Sequence, residues 1–352
     1  MKVLMISSDA NILKENSEVR QRMIEYGELF KRLDIIVFSK QTTEEKMMLS
    51  ENTFVYPTNS SSKANYFFDA LNISRKIVRP DVVTAQDPFE IGVVANNIAK
   101  YFRCQLHIQV HTDFLSKSFK MESLKNNIRT HLAKYILPKA DSIRVVSKKI
   151  KDSLGKMNLR VEPIVLPIFV DEELIKNTEI KFDLHEKYKE FDFIILMASR
   201  LTKEKNIGLA IDFMHKFVKE YPKTGLVVVG DGPERERINM KVDKLDLNDN
   251  VKIEGWSMDL PSYYKTADLF LLTSNYEGYG RTITESLSAG TAVISTDVGA
   301  AKELGAFVVD ANVSSLAEEV KAFLGKKNKD VTLNNPYNSK KEYLELFKRQ
   351  FD

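Results

Sequence analysis

Short apolar runs alternate with amphipathic stretches along the chain. In the first half the runs Val3–Ile6, Ile35–Phe38, Val82–Ala85, Leu106–Val110 and Ile143–Val146 predict buried strands. Pro163 and Pro167 bracket one more. Between the runs, Ser17–Lys31, Lys63–Val78, Phe89–Tyr101 and Glu122–Pro138 predict helices. The second half repeats the rhythm. Its strands are expected at Phe193–Met197, Leu226–Val229, Val251–Ile253, Leu269–Leu272, Val293–Ser295 and Phe307–Val309. Its helices are expected at Ile207–Glu220, Glu234–Leu245, Leu260–Lys265, Thr282–Ala289 and Ser314–Leu324. Strands that alternate with helices predict a parallel sheet covered on both faces. Two such sets predict two doubly wound α/β domains, residues 1–167 and 168–334, with the break between Pro167 and Asp192 where charge rises. The tail, 335–352, reads as a polar helix after Pro336.

The length of 352 residues suits two cores better than one. With 43% hydrophobic and 29% charged residues the composition is that of a globular protein, and a net charge of +3 gives no case for nucleic acid. A single cysteine, Cys104, excludes an internal disulfide framework, fits a reducing, cytoplasmic setting, and is expected to be buried and inert. The first residues, MKVLMISSDA, hold too short an apolar run for a signal peptide. No run of about 18 apolar residues predicts a membrane span.

The chemistry concentrates in Asn275–Gly290, NYEGYGRTITESLSAG, directly after the strand at Leu269–Leu272. Glu277 sits in a loop whose Gly278 and Gly280 let the backbone approach a ligand. A helix starting near Arg281 aims free N–H groups and its positive dipole end at that ligand, which suits phosphate. Glu285 lies about two helical turns on from Glu277, so both can face one cavity. Upstream, Arg200 and Lys205 follow another strand end in Ala198–Asn206. They can supply a bidentate cation and a point charge for a diphosphate, although two lysine-rich surface cations would read the same way.

Taken in order, Ser199-Arg200-Leu201 with Lys205-Asn206, Gly230-Asp231-Gly232-Pro233-Glu234, Glu277-Gly278-Tyr279-Gly280 with Glu285, and Asp297-Val298-Gly299 resemble the retaining glycosyltransferases of family 4, the glycosyl transferases group 1. The resemblance is strong over Phe193–Val309 and looser before it. It implies a GT-B fold, two doubly wound Rossmann-like domains facing across a cleft, with the tail crossing back to the first. It implies transfer of a sugar from a nucleotide-diphosphate sugar, a UDP- or GDP-sugar, with no cofactor and no metal. Arg200, Lys205 and the backbone of Gly278, Tyr279, Gly280 and Arg281 would hold the diphosphate, Glu277 the sugar or its phosphate, and Glu285 the ribose. His111 would contact the donor sugar and, with Glu277, serve the transfer, the leaving phosphate helping to deprotonate the acceptor. Asp231 and Gly232 either line the donor site or merely form a turn.

His111 ends the strand of the first half, where ligands gather in open α/β sheets, and His107 shares its strand parity. Asp87, in Gln86-Asp87-Pro88-Phe89-Glu90, reads equally as acceptor lining and as a helix cap. Relatives of this kind carry a glycine-rich loop after the first strand. Here Ser7–Asn16 has none, so Asn16 or Arg20 would substitute. No Asp-x-Asp and no His/Cys cluster suggests a metal.

In Lys117–Lys139, Leu124, Ile128, Leu132 and Tyr135 recur at helical spacing among Lys120, Lys125, Arg129 and Lys134. The stretch is either a helix covering the sheet or a surface for anionic membrane at the inner face, which would go with a glycan or lipid-linked acceptor. A GT-B epimerase or phosphorylase, or a non-catalytic nucleotide- or glycan-binding protein, would share the architecture.

Overall fold

The computed structural model describes residues 1–40, 45–324 and 331–351. The chain divides into two compact units. One comprises Met1–Leu115, Ser123–Pro167 and Ser339–Asp352, and the other Ser116–Glu122 and Ile168–Asn338.

The first unit is built on eight strands: β1 (Lys2–Ser7), β2 (Arg32–Val37), β3 (Met47–Ser50), β4 (Thr53–Pro57), β5 (Val82–Ala85), β6 (Gln105–Val110), β7 (Ser142–Val145) and β8 (Ile164–Val165). Their order is β3-β4-β2-β1-β5-β6-β7-β8. All neighbours are parallel except β3, which runs antiparallel on β4. Leu4, Met5 and Ile6 are fully buried, as a central strand covered on both faces requires. The sequence pattern misses β3 and β4. Thr53–Pro57 alternates buried and half-buried positions, and Met47–Ser50 is a four-residue, mostly half-buried edge strand, so neither shows the long buried run of a central strand.

The tail is not a polar helix. In Lys340–Lys348 Tyr343 and Phe347 are buried, and Phe351 follows them at the same spacing. Phe347 stacks on Tyr26 at 4.2 Å between ring centroids, and the Tyr26 and Tyr343 hydroxyls lie 2.8 Å apart. This aromatic face belongs to the core of the first unit. Asp352 lies outside the described residues.

The Lys117–Lys139 stretch is two helices, Lys117–Glu122 and Leu124–Ile136, because Ser123 leaves helical geometry and caps the second by accepting from Asn126 N. The first counts with the second unit, where Phe119 meets Tyr276 edge-on at 5.4 Å and Tyr276 Oη donates to Glu122 at 2.8 Å. The second does not bury the expected stripe. Its inward face is Asn126, Thr130, Ala133 and Ile136, while Leu124 is 87%, Ile128 61% and Tyr135 60% exposed.

The second unit carries β9 (Phe193–Ala198), β10 (Thr224–Val229), β11 (Val251–Glu254), β12 (Leu269–Leu272), β13 (Val293–Thr296) and β14 (Phe307–Val309), at the six places the apolar runs predict. All pair in parallel in the order β11-β10-β9-β12-β13-β14. Ile195, Met197, Leu226, Val228, Leu269 and Leu271 pack on Ile211, Met214 and Leu316 from the helices. The order reverses between β9 and β12, and the loops leaving their carboxyl ends are those of Lys205 and Glu277. Such a switch point is where open α/β sheets bind ligands.

Candidate functional site

Lys205 and Glu277 meet in the second unit. Lys205 Nζ donates to Glu277 Oε1 at 2.5 Å, and Ser274 Oγ donates to the same oxygen at 2.8 Å. The two loops are sewn together beneath the pair. Asn275 N donates to Glu204 O at 2.7 Å, and Thr273 Oγ1 to Lys205 O and Asn206 O at 3.1 and 3.0 Å. Arg200 takes another direction: its side chain is 68% exposed and pairs with Glu204 at 3.2 Å.

Glu285 lies buried on the helix Arg281–Ser288. Its Oε2 accepts from Tyr264 Oη at 2.9 Å and its Oε1 pairs with Arg281 Nε at 2.6 Å. Arg281 therefore offers more than the backbone N–H expected of it, since its side chain clamps the carboxylate. Burial, then the charge of Glu285, holds the Tyr264 phenol well above its ordinary pKa, so it remains a donor. Gly280 starts the helix at φ 98°, a left-handed conformation that glycine adopts freely. Tyr279 points into the core, 3% exposed, and its carbonyl accepts from Ala300 N at 2.8 Å. A Cβ on Gly299 would stand 2.5 Å from that carbonyl oxygen, which explains the glycine in the Asp297–Gly299 loop. Tyr264 lies on the expected helix Leu260–Lys265, but nothing in the sequence ties it to Glu285, and Ser274 carries no signal beyond its place after a strand.

Asp231 is mostly exposed and accepts from Gly232 N at 2.8 Å. Its carbonyl accepts from Leu201 N at 2.9 Å, and a side chain on Gly230 would collide with Ser199 O. The Gly230–Gly232 turn thus packs on the loop of Arg200.

In the first unit His107 is 1% exposed within the sheet, its Nδ1 2.8 Å from Thr84 Oγ1. His111 is half-buried just past β6. Its Nε2 lies 3.1 Å from Gln109 Oε1, which also accepts from Arg144 Nη1 at 3.1 Å. The fully buried Arg144 donates further to Leu166 O, Pro167 O and Tyr343 Oη at 3.0, 3.1 and 3.2 Å. A guanidinium only donates, so the Gln109 atom facing it is the oxygen. His111 Nε2 must then carry the proton it shares with that oxygen, and Nδ1 keeps an acceptor lone pair. Burial, aided by the Arg144 charge, pushes the His111 imidazole down to about 3, so it stays neutral.

Asp87 accepts from Phe89 N at 2.7 Å, and burial pushes its carboxyl up to about 6. Asn16 is exposed. Arg20 is half-buried on the helix Glu18–Glu28, and its Nη1 is buried without a hydrogen-bond partner among the described residues. Cys104 is half-buried rather than buried, because it sits in the turn before β6. Burial still pushes its thiol up to about 11. Among the described residues no three His, Cys, Asp or Glu side chains converge as a metal site, and no helix is long and apolar enough to cross a membrane.

Residues 178–339 match the family described as Glycosyl transferases group 1. An alpha-monoglucosyldiacylglycerol synthase of Streptococcus pneumoniae is 29% identical over 244 residues, 65% of this chain and 54% of that protein. A synthase of the same name from Acholeplasma laidlawii is 23% identical over 230 residues, 61% of this chain and 58% of that protein. The chain thus spans little more than half the length of these curated relatives. Anabaena HepE, solved in complex with UDP-glucose, matches with a TM-score of 0.74 at 19% identity, over 100% of this chain and 96% of that one. Likeness at that identity shows the fold, which is GT-B.

Proposed function

Residues 178–339 form a domain of the glycosyl transferases group 1, and on that premise we propose that the chain transfers a sugar, with retention, from a nucleotide-diphosphate sugar to a hydroxyl acceptor at a membrane. The observation that carries this reading is the pairing of Lys205 with Glu277 in the loops that leave the carboxyl ends of β9 and β12, with Glu285 on the helix that follows held by Tyr264. Lys205, Arg200 and the N–H groups of Gly278–Arg281 offset the charge of the diphosphate as the sugar leaves, without a metal ion. Glu285, oriented by Tyr264 and Arg281, accepts from the ribose diol. Glu277, steered by Lys205 and Ser274, meets the sugar. His111 accepts a sugar hydroxyl at Nδ1. The bond from the anomeric carbon to the diphosphate breaks, the acceptor oxygen joins the same face, and its proton passes to the departing phosphate oxygen. Asp231, Gly232, Asn16 and Arg20 are second in line as contacts with donor or acceptor.

UDP-glucose is the first donor to test, since HepE was solved with it. The names of the two relatives favour a lipid acceptor. So does the helix Leu124–Ile136, which turns Leu124, Ile128 and Tyr135 to solvent beside exposed Lys125 and Lys134. That face suits the anionic inner surface of a membrane. The test is to mix the protein with UDP-glucose and vesicles of anionic lipid, with and without diacylglycerol, in EDTA. UDP should appear only when donor and acceptor are both present. Glucose 1-phosphate formed from a glucan and inorganic phosphate in a separate mixture would indicate a phosphorylase, an altered sugar nucleotide an epimerase, and no product of any kind from any nucleotide sugar a binding protein.

A further inference from the structure

Five side chains of the first unit, His107, Thr84, Gln109, Arg144 and His111, form one hydrogen-bonded line. Gln109 sits at its centre. Its Oε1 accepts from Arg144 Nη1 and from His111 Nε2, both at 3.1 Å, and its Nε2 donates to Thr84 Oγ1 at 3.3 Å. Thr84 is fully buried, and the only other partner of its hydroxyl among the described residues is His107 Nδ1 at 2.8 Å. The hydroxyl proton therefore goes to that nitrogen, and His107 carries its own proton on Nε2. That N–H is buried beside the Phe351 ring with no hydrogen-bond partner among the described residues. Burial keeps both imidazoles neutral, each pushed down to about 3.

The line has a second polarity. Turning the Gln109 amide by half a rotation exchanges its oxygen and nitrogen. Thr84 would then donate to Gln109 and accept from His107 Nδ1. His111 Nε2 would accept from the amide, and its proton would move to Nδ1. This reverse form leaves His107 Nε2 a bare lone pair in place of an unpaired N–H, the less costly of the two to bury. Arg144 opposes it. A guanidinium only donates, so an amide N–H turned towards it would forfeit a charge-assisted bond, roughly twice as strong as a neutral one. The guanidinium cannot easily turn away, because Leu166 O, Pro167 O and Tyr343 Oη also accept from it, at 3.0, 3.1 and 3.2 Å.

We propose that Arg144 is a positioning residue: it selects the polarity of this line, through Gln109, and so presents the Nδ1 lone pair of His111 to the sugar. The inference rests on reading the chain as a glycosyltransferase. The sugar gains positive charge as its bond to the diphosphate breaks. A lone pair aimed at that charge attracts it, and the attraction grows towards the transition state, whereas an N–H dipole aimed at it repels. In the ground state either tautomer can bond a hydroxyl, since a hydroxyl both donates and accepts. Loss of Arg144 therefore acts on turnover rather than on donor binding.

Nitrogen–proton correlation spectra of the histidine side chains in the full chain, recorded at pH 7, tell a protonated ring nitrogen from a bare one, and His107→Gln and His111→Gln assign the signals. In the unmodified protein both imidazoles should be protonated at Nε2. Arg144→Met should move both protons to Nδ1 together and lower kcat roughly tenfold or more, with UDP affinity nearly unchanged. Arg144→Lys, which keeps a donor that cannot accept, should retain the tautomers and most of the turnover. Thr84→Val parts the two histidines and leaves Arg144 in place, so His111 should stay protonated at Nε2. Melting temperatures establish that each variant is folded, and the unmodified protein with Thr84→Val decides the matter if Arg144→Met is not. His111 protonated at Nδ1 in either of those two, unchanged tautomers in folded Arg144→Met, or undiminished kcat once the tautomers have moved overturns the proposal. If the unmodified protein transfers no sugar from any donor, the glycosyltransferase reading fails, while the spectra still decide whether Arg144 sets the tautomer of His111.

Discussion

Lys205 Nζ and Glu277 Oε1 lie 2.5 Å apart, with both side chains only 15% exposed. The pair locks the loop after β9 to the loop after β12. Removing either partner leaves a charge in a poorly solvated place, so the two residues act as a unit. Lys205→Ala is expected to weaken UDP binding by about 1.5–3 kcal/mol, roughly ten- to a hundredfold. Arg200→Ala should weaken it less, because Arg200 is mostly exposed and tied to Glu204. In a double-mutant cycle Lys205→Ala and Glu277→Gln should be non-additive. UDP affinity unchanged in both cation variants would sink the donor-site assignment.

Glu277 and Glu285 should separate kinetically. Glu285→Ala is expected to raise the donor dissociation constant with little effect on bound-state turnover, and Tyr264→Phe should do the same more weakly, since Tyr264 Oη donates to Glu285. Glu277→Gln should chiefly lower turnover. Steady-state rates set beside donor affinities decide the matter, and identical profiles for the two glutamates would show the division of roles to be wrong.

His111 is held neutral, its pKa down at about 3. A folded value below the usual ~6.5 means that its contribution to stability is present above pH ~6.5 and is lost as pH falls towards 3. Turnover should therefore show no acid limb from this imidazole near pH 6.5. Gln109→Glu sets a carboxylate between Arg144 and His111, so the imidazole pKa should rise and an acid limb should emerge. Imidazole NMR shifts followed from pH 4 to 8 check both, and a wild-type His111 titrating near 6.5 contradicts the geometry.

Asp87 behaves in the opposite sense. Its folded pKa of about 6 stands above the ~3.9 of an unfolded aspartate, so folding takes up a proton between those values. Its stabilisation is full below pH ~4 and lost as pH rises past 6. Asp87→Asn should flatten the pH dependence of the melting temperature between pH 4 and 7 and melt higher than wild type at pH 7. Parallel melting curves for the two proteins across that range would contradict a buried carboxyl.

The exposed face of Leu124–Ile136 should bind anionic vesicles. Each Lys or Arg at such a surface contributes about 1 kcal/mol, and salt screens it. Flotation should rise with anionic lipid and fall with salt. It should fall further in a Leu124→Ser, Ile128→Ser variant, which removes apolar contact, and in a Lys125→Gln, Lys134→Gln variant, which removes charge. A protein that ignores anionic vesicles at low salt has no membrane surface on this helix.

The sequence by itself determined the sheets. A central strand of a parallel sheet is buried on both faces, so β1, β9 and β12 are written as apolar runs, whereas the edge strand β11 alternates as Val251-Lys252-Ile253-Glu254; the glycines of Glu277–Gly280 mark the loop where a backbone must turn tightly. It could not mark the edge strand β3 or its neighbour β4, which alternates buried and half-buried positions, nor the amphipathic stripe of Tyr343, Phe347 and Phe351, which becomes visible only against Tyr26. Periodicity gave Leu124–Ile136 an apolar stripe, but which side of a helix is buried depends on what packs against it. Here Ala133 and Ile136 are buried and Leu124 and Ile128 are exposed. Local spacing placed Lys205 and Glu277 each in its own loop. Their pairing, the clamp of Tyr264 and Arg281 on Glu285, and the line from Arg144 through Gln109 to His111 join residues tens of positions apart or separated by a turn of helix. Contacts of that kind are decided by strand order and register, which only the folded chain fixes.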